Sequence, residues 1–431
     1  MKNLLVIAFH FPPDNSSTGV LRTAKFTEYL LQHQWRSHVV TAPPSLYISR
    51  NPEDAHAGVP ELTVVRAWGC DVKRFFGVGG VYPSWLGIPD RYWPWFFAAR
   101  RAGSRAIRTH GIQAIYSTYP LPTAHLVGLS LKMRFKLPWV ADFRDPWAIE
   151  GEMGIAAKVE AFLERKVVSA ADRVICNTPA MRRSFLARYP ELPPERFVTI
   201  TNGYDETDLA SISPIRGRKF QIFYPGSIDH ENRNPRGLFL AVRFALDRGW
   251  LDPNDLQLTF LGCGPYADSD RFRSDLAACA LEPFVELVRD RIPYKEALAR
   301  MAGADVVVVL SEHLSASNAT DATDATERWT AMQVPAKLYE YLRVGRPILA
   351  LVGDGAVREL LDASGGGMPL RSHETEKIAL SLRRYYEGSK KPMANSATIG
   401  SQIAQYSRER LTDRLAKELD ALVDDATPDR E

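Results

Sequence analysis

The chain has 431 residues, long for one core, so two or three domains are expected. Its 45% hydrophobic and 24% charged composition is ordinary for a soluble globular protein. A formal net charge of +3, from 54 basic and 51 acidic residues, is too small to argue for nucleic acid. None of the four cysteines, Cys70, Cys176, Cys263 and Cys279, forms a CxxC pair or stands with His at metal spacing. This favours a reducing compartment, free thiols and no zinc. The apolar run Leu4–Phe9 is too short for a signal-peptide core, and no window approaches the ~20 apolar residues of a membrane span. A cytoplasmic protein is expected, with peripheral contact at the inner face of a membrane still allowed.

Leu4–Phe9 predicts a buried strand, followed by the loop FPPDNSSTGVLR and a helix from about Leu21 to Gln32. Strand, glycine-containing loop and helix open a doubly wound α/β domain, whose ligands bind at strand carboxyl ends. The loop is neither GxGxxG nor a Walker loop, so it specifies no dinucleotide or ATP. Gly19 would let a ligand approach backbone, and Arg22 could meet an anion; a turn glycine and a solvated arginine are the plainer alternative.

Further strands are expected at Val39–Ala42, Leu62–Ala67, Ile112–Ser117, Trp139–Phe143, Arg173–Asn177 and Phe197–Thr201, with helical patterns between several. Tyr92–Phe97 (YWPWFF) precedes Arg100, Arg101, Arg105 and Arg108, which fall near one side of a helix. Such a face can sit on an anionic membrane, or be core aromatics beside solvated arginines. His125, near the start of an apolar helix, reads more readily as a core histidine than as a catalyst. Asp142, Arg144 and Asp145 of PWVADFRDPW fall at a strand carboxyl end, suited to sugar hydroxyls, to base chemistry or to an ion pair.

Ile200–Asp208 reads as the linker to a second α/β run. Gln221–Tyr224 is a strand, and the polar loop after it contains Gly226, Ser227, Arg233 and Arg236, suited to a diphosphate. Strands at Leu256–Leu261, Phe284–Val288 and Asp305–Leu310 follow, with a helix at Tyr294–Met301. The DAT-rich stretch over 311–333 predicts a flexible loop. In VPAKLYEYLRVGRPILAL, Pro335 suits a first helical position, Gly345 and Pro347 stop the helix, and Ile348–Val352 is a buried parallel strand. Lys337 adds charge to the helix N-terminus and Glu340 shares its face, as in an anion seat beside a sugar hydroxyl or in a plain surface ion pair. Ile403, Leu411, Leu415, Leu419 and Leu422 predict a C-terminal helix.

The ordered motifs FHFPPDNSSTGVLRTAKFTEYL, IPDRYWPWFFAARRA, YSTYPLPTAHLVG, PWVADFRDPW, NGYDETDL, FYPGSI, IPYKEALARMAGADVVVVL and VPAKLYEYLRVGRPILAL resemble those of bacterial family 4-type retaining glycosyltransferases. The resemblance implies the α/β GT-B fold, with two doubly wound Rossmann-like domains facing a central cleft and a C-terminal helix packing back across them. The expected boundaries are 1–205, joined by 400–424, for the acceptor side and 206–399 for the donor side. It further implies transfer of a sugar from a nucleotide diphosphate sugar to a glycan or lipid-linked acceptor in surface polysaccharide synthesis, without cofactor or obligatory metal. A sugar-nucleotide epimerase of the same fold, or a non-catalytic sugar-nucleotide-binding member, is the alternative.

By resemblance, donor contacts fall on Gly19, Gly226, Ser227, Arg233, Lys337, Leu338 and Glu340. Catalytic roles fall on Asp142, Asp145, Arg233 and Lys337, and acceptor or sugar contacts on Arg22, Thr118, His125 and Arg144. Glu340 matches the second member of the family's paired glutamates. The first should lie eight positions earlier, where this chain has Met332.

Overall fold

A computed structural model describes residues 1–15, 19–50, 61–77, 83–149, 151–152, 154–312, 321–390 and 402–425. Contacts divide the chain into two compact units. Unit 1 is Met1–Gly203 with Arg408–Glu431, and unit 2 is Tyr204–Ser407.

Unit 1 is built on seven parallel strands: β1 (Lys2–Ile7), β2 (Trp35–Thr41), β3 (Thr63–Arg66), β4 (Ala114–Thr118), β5 (Trp139–Phe143), β6 (Arg173–Cys176) and β7 (Phe197–Thr199). Their order is β3-β2-β1-β4-β5-β6-β7. All residues of β4 and β5 are buried, as strands covered by helices on both faces require. The covering helices are α1 (Gly19–Tyr29), α2 (Val72–Phe76), α3 (Trp95–His110), α4 (Pro122–Phe135), α5 (Ile155–Ala170) and α6 (Pro179–Arg188). Strand order reverses between β1 and β4, which makes their carboxyl ends the switch point where doubly wound sheets bind ligands. Gly19 opens α1 after β1, Thr118 ends β4, and Arg144 follows β5 at that edge.

Unit 2 repeats the plan with six parallel strands: β8 (Phe220–Pro225), β9 (Leu256–Leu261), β10 (Val285–Val288), β11 (Val306–Ser311), β12 (Ile348–Val352) and β13 (Met368–Leu370). The order β10-β9-β8-β11-β12-β13 sets its switch point between β8 and β11. Its helices are α7 (Glu206–Ala210), α8 (Arg236–Asp247), α9 (Asp270–Ala278), α10 (Tyr294–Gly303), α11 (Asp321–Ala331), α12 (Lys337–Val344), α13 (Ala356–Ser364) and α14 (Thr375–Ser389). The stretch expected to be a flexible loop thus contains α11, while residues 313–320 lie outside the described residues. Alanine recurring every third position, with Glu327 and Arg328, supports a helix, and Ala325 is buried.

In the opening of α12 the Leu338 amide donates to the Pro335 carbonyl at 2.9 Å. The helix ends at Gly345, whose φ of 72° is the left-handed conformation glycine adopts without strain. The last helix, α15 (Arg408–Asp425), belongs to unit 1. Its Leu411, Leu415, Leu419 and Leu422 pack into the same core as Leu4, Val6, Phe26 and Trp35.

Candidate functional site

In unit 2 the carboxyl end of β8 gathers four of the singled-out residues. After Pro225 the chain turns through Gly226, whose amide donates to the Leu261 carbonyl at 2.8 Å. Asp229 accepts from the backbone amides of Glu231, Asn232 and Arg233 at 3.0, 2.7 and 3.0 Å, which curls the polar loop back on itself. Arg233 is thereby set beside Ser227, donating to its Oγ at 2.7 Å, with Asp229 as its ion-pair partner at 3.0 Å. Arg236 instead turns to Asp275 on α9, at 3.5 Å.

Lys337, from the start of α12, reaches under this turn. Its Nζ donates to the Pro225 carbonyl at 2.9 Å and lies 3.9 Å from the centre of the Tyr224 ring. Burial, then the neighbouring Arg233 charge, push its pKa down to about 7, and Glu340 opposes them. Two cations held this close repel one another until an anion arrives. Glu340, 4% exposed, accepts from the Tyr294 hydroxyl at 2.6 Å. Leu338 is fully buried and serves the core of unit 2. Met332 stands just beyond α11, its amide bonded to Trp329 at 3.3 Å.

In unit 1 the predicted residues separate into two sets. Arg22 and Asp142 are fully committed to each other. Arg22 donates from Nε and Nη2 to the two Asp142 oxygens at 3.0 and 2.9 Å, and further to the carbonyls of Ile200 and Thr201. Tyr116 and Thr118 hydroxyls donate to Asp142 Oδ2 at 2.5 and 3.2 Å. Burial resists ionisation of Asp142, yet the Arg22 charge and hydrogen bonds hold its carboxyl below the usual range. The pair ties the ends of β4 and β5 to α1 and to the chain leaving β7. It is a frame for the site, since every Asp142 oxygen is already engaged.

Arg144 is the opposite case. It is buried, 8% exposed, and no hydrogen-bond or ion-pair partner holds its guanidinium among the described residues. A Cβ at Gly19 would stand 1.5 Å from Arg144 Nη1, so a side chain there would push the guanidinium, the flexible end of Arg144, out of its place. Arg144 lines a narrow cleft with Phe9, His10, Thr23, Thr118, Tyr119 and Leu121. Asp145 is next to it, its carboxyl pushed up by burial and pulled down by Arg144.

His125 is fully buried, its Nδ1 2.8 Å from Ser117 Oγ and its ring 4.5 Å from that of Phe143. Burial pushes its pKa down to about 3, which leaves it neutral and part of the core at neutral pH.

Sequence reasoning missed Tyr294 and Glu164. Glu164 of α5, fully buried, accepts the amides of Trp147 and Ala148 at 3.1 and 2.8 Å and the Tyr189 hydroxyl at 2.7 Å, with Arg188 at 2.8 Å. It clamps the loop that carries Arg144 and Asp145. A lone glutamate within a helical run gives no local signal of that role.

Residues 18–203 match the family described as glycosyl transferase 4-like domain. A 62-residue stretch is 40% identical to alpha-maltose-1-phosphate synthase of Mycolicibacterium smegmatis, and spans 14% of this chain and 16% of that protein. Sucrose-phosphate synthase from Thermosynechococcus elongatus is similar over 99% of this chain and 100% of that one, with a TM-score of 0.65 and 14% identity. Anabaena HepE, solved in complex with UDP and glucose, is similar over 98% and 100%, with a TM-score of 0.63 and 14% identity. At these identities the likeness is one of fold, and that fold is GT-B.

Proposed function

Because residues 18–203 match the family described as glycosyl transferase 4-like domain, we propose that this chain is a retaining hexosyltransferase using a nucleotide diphosphate sugar. The acceptor is a glycan or lipid-linked glycan in bacterial surface polysaccharide synthesis. The observation carrying this reading is the pairing of Lys337 with Arg233 around the Gly226–Ser227 turn. Two cations at a strand end, one of them partly neutralised by its surroundings, suit an incoming diphosphate. Glu340, oriented by Tyr294, lies on the same helix as Lys337 and suits the ribose hydroxyls.

Retention needs no strong protein nucleophile here. Arg233 and Lys337 stabilise the departing diphosphate, the charge that grows most in the transition state. The leaving phosphate takes the acceptor proton, and Asp145 orients acceptor or sugar. Asp142 acts one step back, through the frame it forms with Arg22. No cofactor and no obligatory metal enters this scheme.

The face of α3 supports work at the inner surface of a membrane. Arg101, Arg105 and Arg108 are exposed on it, and so is Phe97. Tyr92 and Trp95 are buried, so the aromatic cluster divides between core and surface. Among the described residues no helix is long and apolar enough to cross a membrane. Reversing the charge of Arg101 and Arg105 should reduce co-sedimentation with anionic vesicles; equal binding sinks the membrane contact.

Incubation with a panel of nucleotide sugars tests the activity. Release of nucleoside diphosphate on adding acceptor is expected. Epimerised donor would replace this reading with an epimerase of the same fold, and tight binding without turnover with a non-catalytic member. Glu340→Ala tests the donor pose: UDP affinity should fall about tenfold while pyrophosphate affinity holds. Unchanged UDP affinity removes the ribose from Glu340.

A further inference from the structure

We propose that the groove between α3 and α4 in unit 1 binds one anionic phospholipid, taking an acyl chain along its apolar floor and the headgroup phosphate at Arg100 and Arg134. The proposal deepens the membrane contact read from α3 and rests on it only for the source of the lipid. The site itself stands on the shape of the groove, its charge and its rim.

The two helices pack side by side and leave between them an open groove of about 680 Å³. That is room for a molecule, within the roughly 300–1,000 Å³ of small-ligand sites. Phe96 of α3 and Leu126, Leu129 and Met133 of α4 supply its apolar surface, and Arg100 and Arg134 stand at it as cations. Apolar side chains facing water in a concave site gain by taking up hydrocarbon.

The charge around the groove has one sign. From Arg91 to Ala141 the sequence holds eight lysines and arginines and no aspartate or glutamate, in a chain whose whole net charge is only +3. Lys132 finds a carboxylate outside this stretch, Asp172 at 2.6 Å. Among the described residues no carboxylate pairs with Arg100, Arg101, Arg105, Arg108 or Arg134. The Nε of Arg100 is buried without a hydrogen-bond partner. Arg108 and Arg134, from the two helices, stand over the same Phe135 ring at 5.7 and 5.5 Å. Like charges gathered without a counter-charge favour an anion between them.

The rim carries large apolar side chains in water. Phe97 is 65% exposed on α3 and Met133 63% exposed on α4. Trp85, 68% exposed, is tied to the same end, because Trp93 donates to the Leu86 carbonyl at 3.0 Å and its ring lies 6.4 Å from that of Phe97. Exposed aromatics beside arginines are the composition that sits at the headgroup level of a bilayer. The cationic face is also wider than the groove, since Arg101, Arg105 and Arg108 follow α3 at helical spacing. A broad basic face around one narrow apolar slot suits a layer of anionic headgroups that lends a single chain to the slot.

The test uses the full chain and a lipid that forms no bilayer. Dihexanoylphosphatidylglycerol below its micelle concentration is titrated by calorimetry, with dihexanoylphosphatidylcholine as the zwitterionic control. One site is expected for the anionic lipid, at least about tenfold tighter than for the control. Ser130→Trp fills the groove without altering a charge and should weaken that site at least about tenfold, and Arg134→Gln about fivefold. Arg134 is exposed, so its variant keeps the test readable if Ser130→Trp fails to fold. Arg101→Glu with Arg105→Glu should loosen binding to anionic vesicles while the short-chain lipid stays within about twofold. No saturable binding of the short-chain lipid overturns the site, and so does equal affinity in Ser130→Trp and Arg134→Gln. Vesicle binding without short-chain binding would leave a flat adsorbing face and no site. A dimer in sedimentation that Ser130→Trp disperses would assign the groove to a second copy of the chain and overturn the lipid. The titration needs no sugar donor, so a failure of the glycosyltransferase reading shows separately, as no nucleoside diphosphate release from any donor.

Discussion

Lys337 lies directly beneath Gly226: a Cβ at that glycine would stand 2.3 Å from Lys337 Nζ. The lysine can occupy its place over the Tyr224 ring only because residue 226 has no side chain. Gly226→Ala should therefore displace the ammonium, which is the flexible end of its chain, with little effect on folding. UDP affinity is expected to fall about tenfold while the thermal midpoint moves by no more than about 2 °C. Equal affinity in the alanine variant would mean that Lys337 does not contact the donor.

Lys337 also predicts a pH dependence. Its pKa is pushed down to about 7 in the free protein, mainly by burial, against about 10.4 in an unfolded chain. Between those values the unfolded chain binds more protons, so this residue makes stability rise with pH across that window. Binding has the opposite sign. A diphosphate favours the charged form, so UDP binding takes up a proton above pH 7 and weakens as pH rises further. Calorimetry at pH 8 in buffers of different ionisation enthalpy should show that uptake, and Lys337→Met should abolish it. Proton uptake that persists in the methionine variant assigns it to another group.

Most of the fold was legible in the sequence, because its signals are local. Pro335 and Gly345 bracket α12, and the unbroken apolar run Ile348–Val352 marks a central parallel strand. The site was less legible, because its partners are remote. Arg22 and Arg144 look alike as arginines near strand ends. Only the fold shows that Arg22 is spent on Asp142, 120 residues away, while the Arg144 guanidinium has no such partner among the described residues. The Tyr294–Glu340 bond, across 46 residues, has no local trace either. The DAT repeats misled because small polar residues suit a loop and a helix alike, and the neighbours of Ala325 decide between them.

The Arg22–Asp142 pair should be costly to break from either side. Both side chains are buried, and removing one strands the other's charge, a loss of about 3–5 kcal/mol. Asp142→Asn is expected to lower the urea midpoint of unit 1, followed by hydrogen exchange in β4 and β5, and to leave β8 and β12 unaffected. Because the folded carboxyl titrates below its ordinary value, its contribution is present above the usual carboxylate range. It is lost as pH falls through the folded pKa, and Asp142→Asn should flatten that acid limb. A variant as stable as wild type would show that the carboxylate is kept for chemistry instead.

Glu164 should act on the reaction without touching a substrate. Its Oε2 holds the amides of Trp147 and Ala148, and these fix the loop that presents Arg144 and Asp145. Glu164→Ala frees both amides, and their hydrogen exchange should accelerate at least about tenfold. The loop then samples positions away from the acceptor, so kcat is expected to fall about tenfold while the donor KM holds. Glu164→Gln keeps one acceptor oxygen for the two amides and should recover part of both losses. If activity falls in the alanine variant while the Trp147 and Ala148 amides stay protected, Glu164 acts by some route other than the loop.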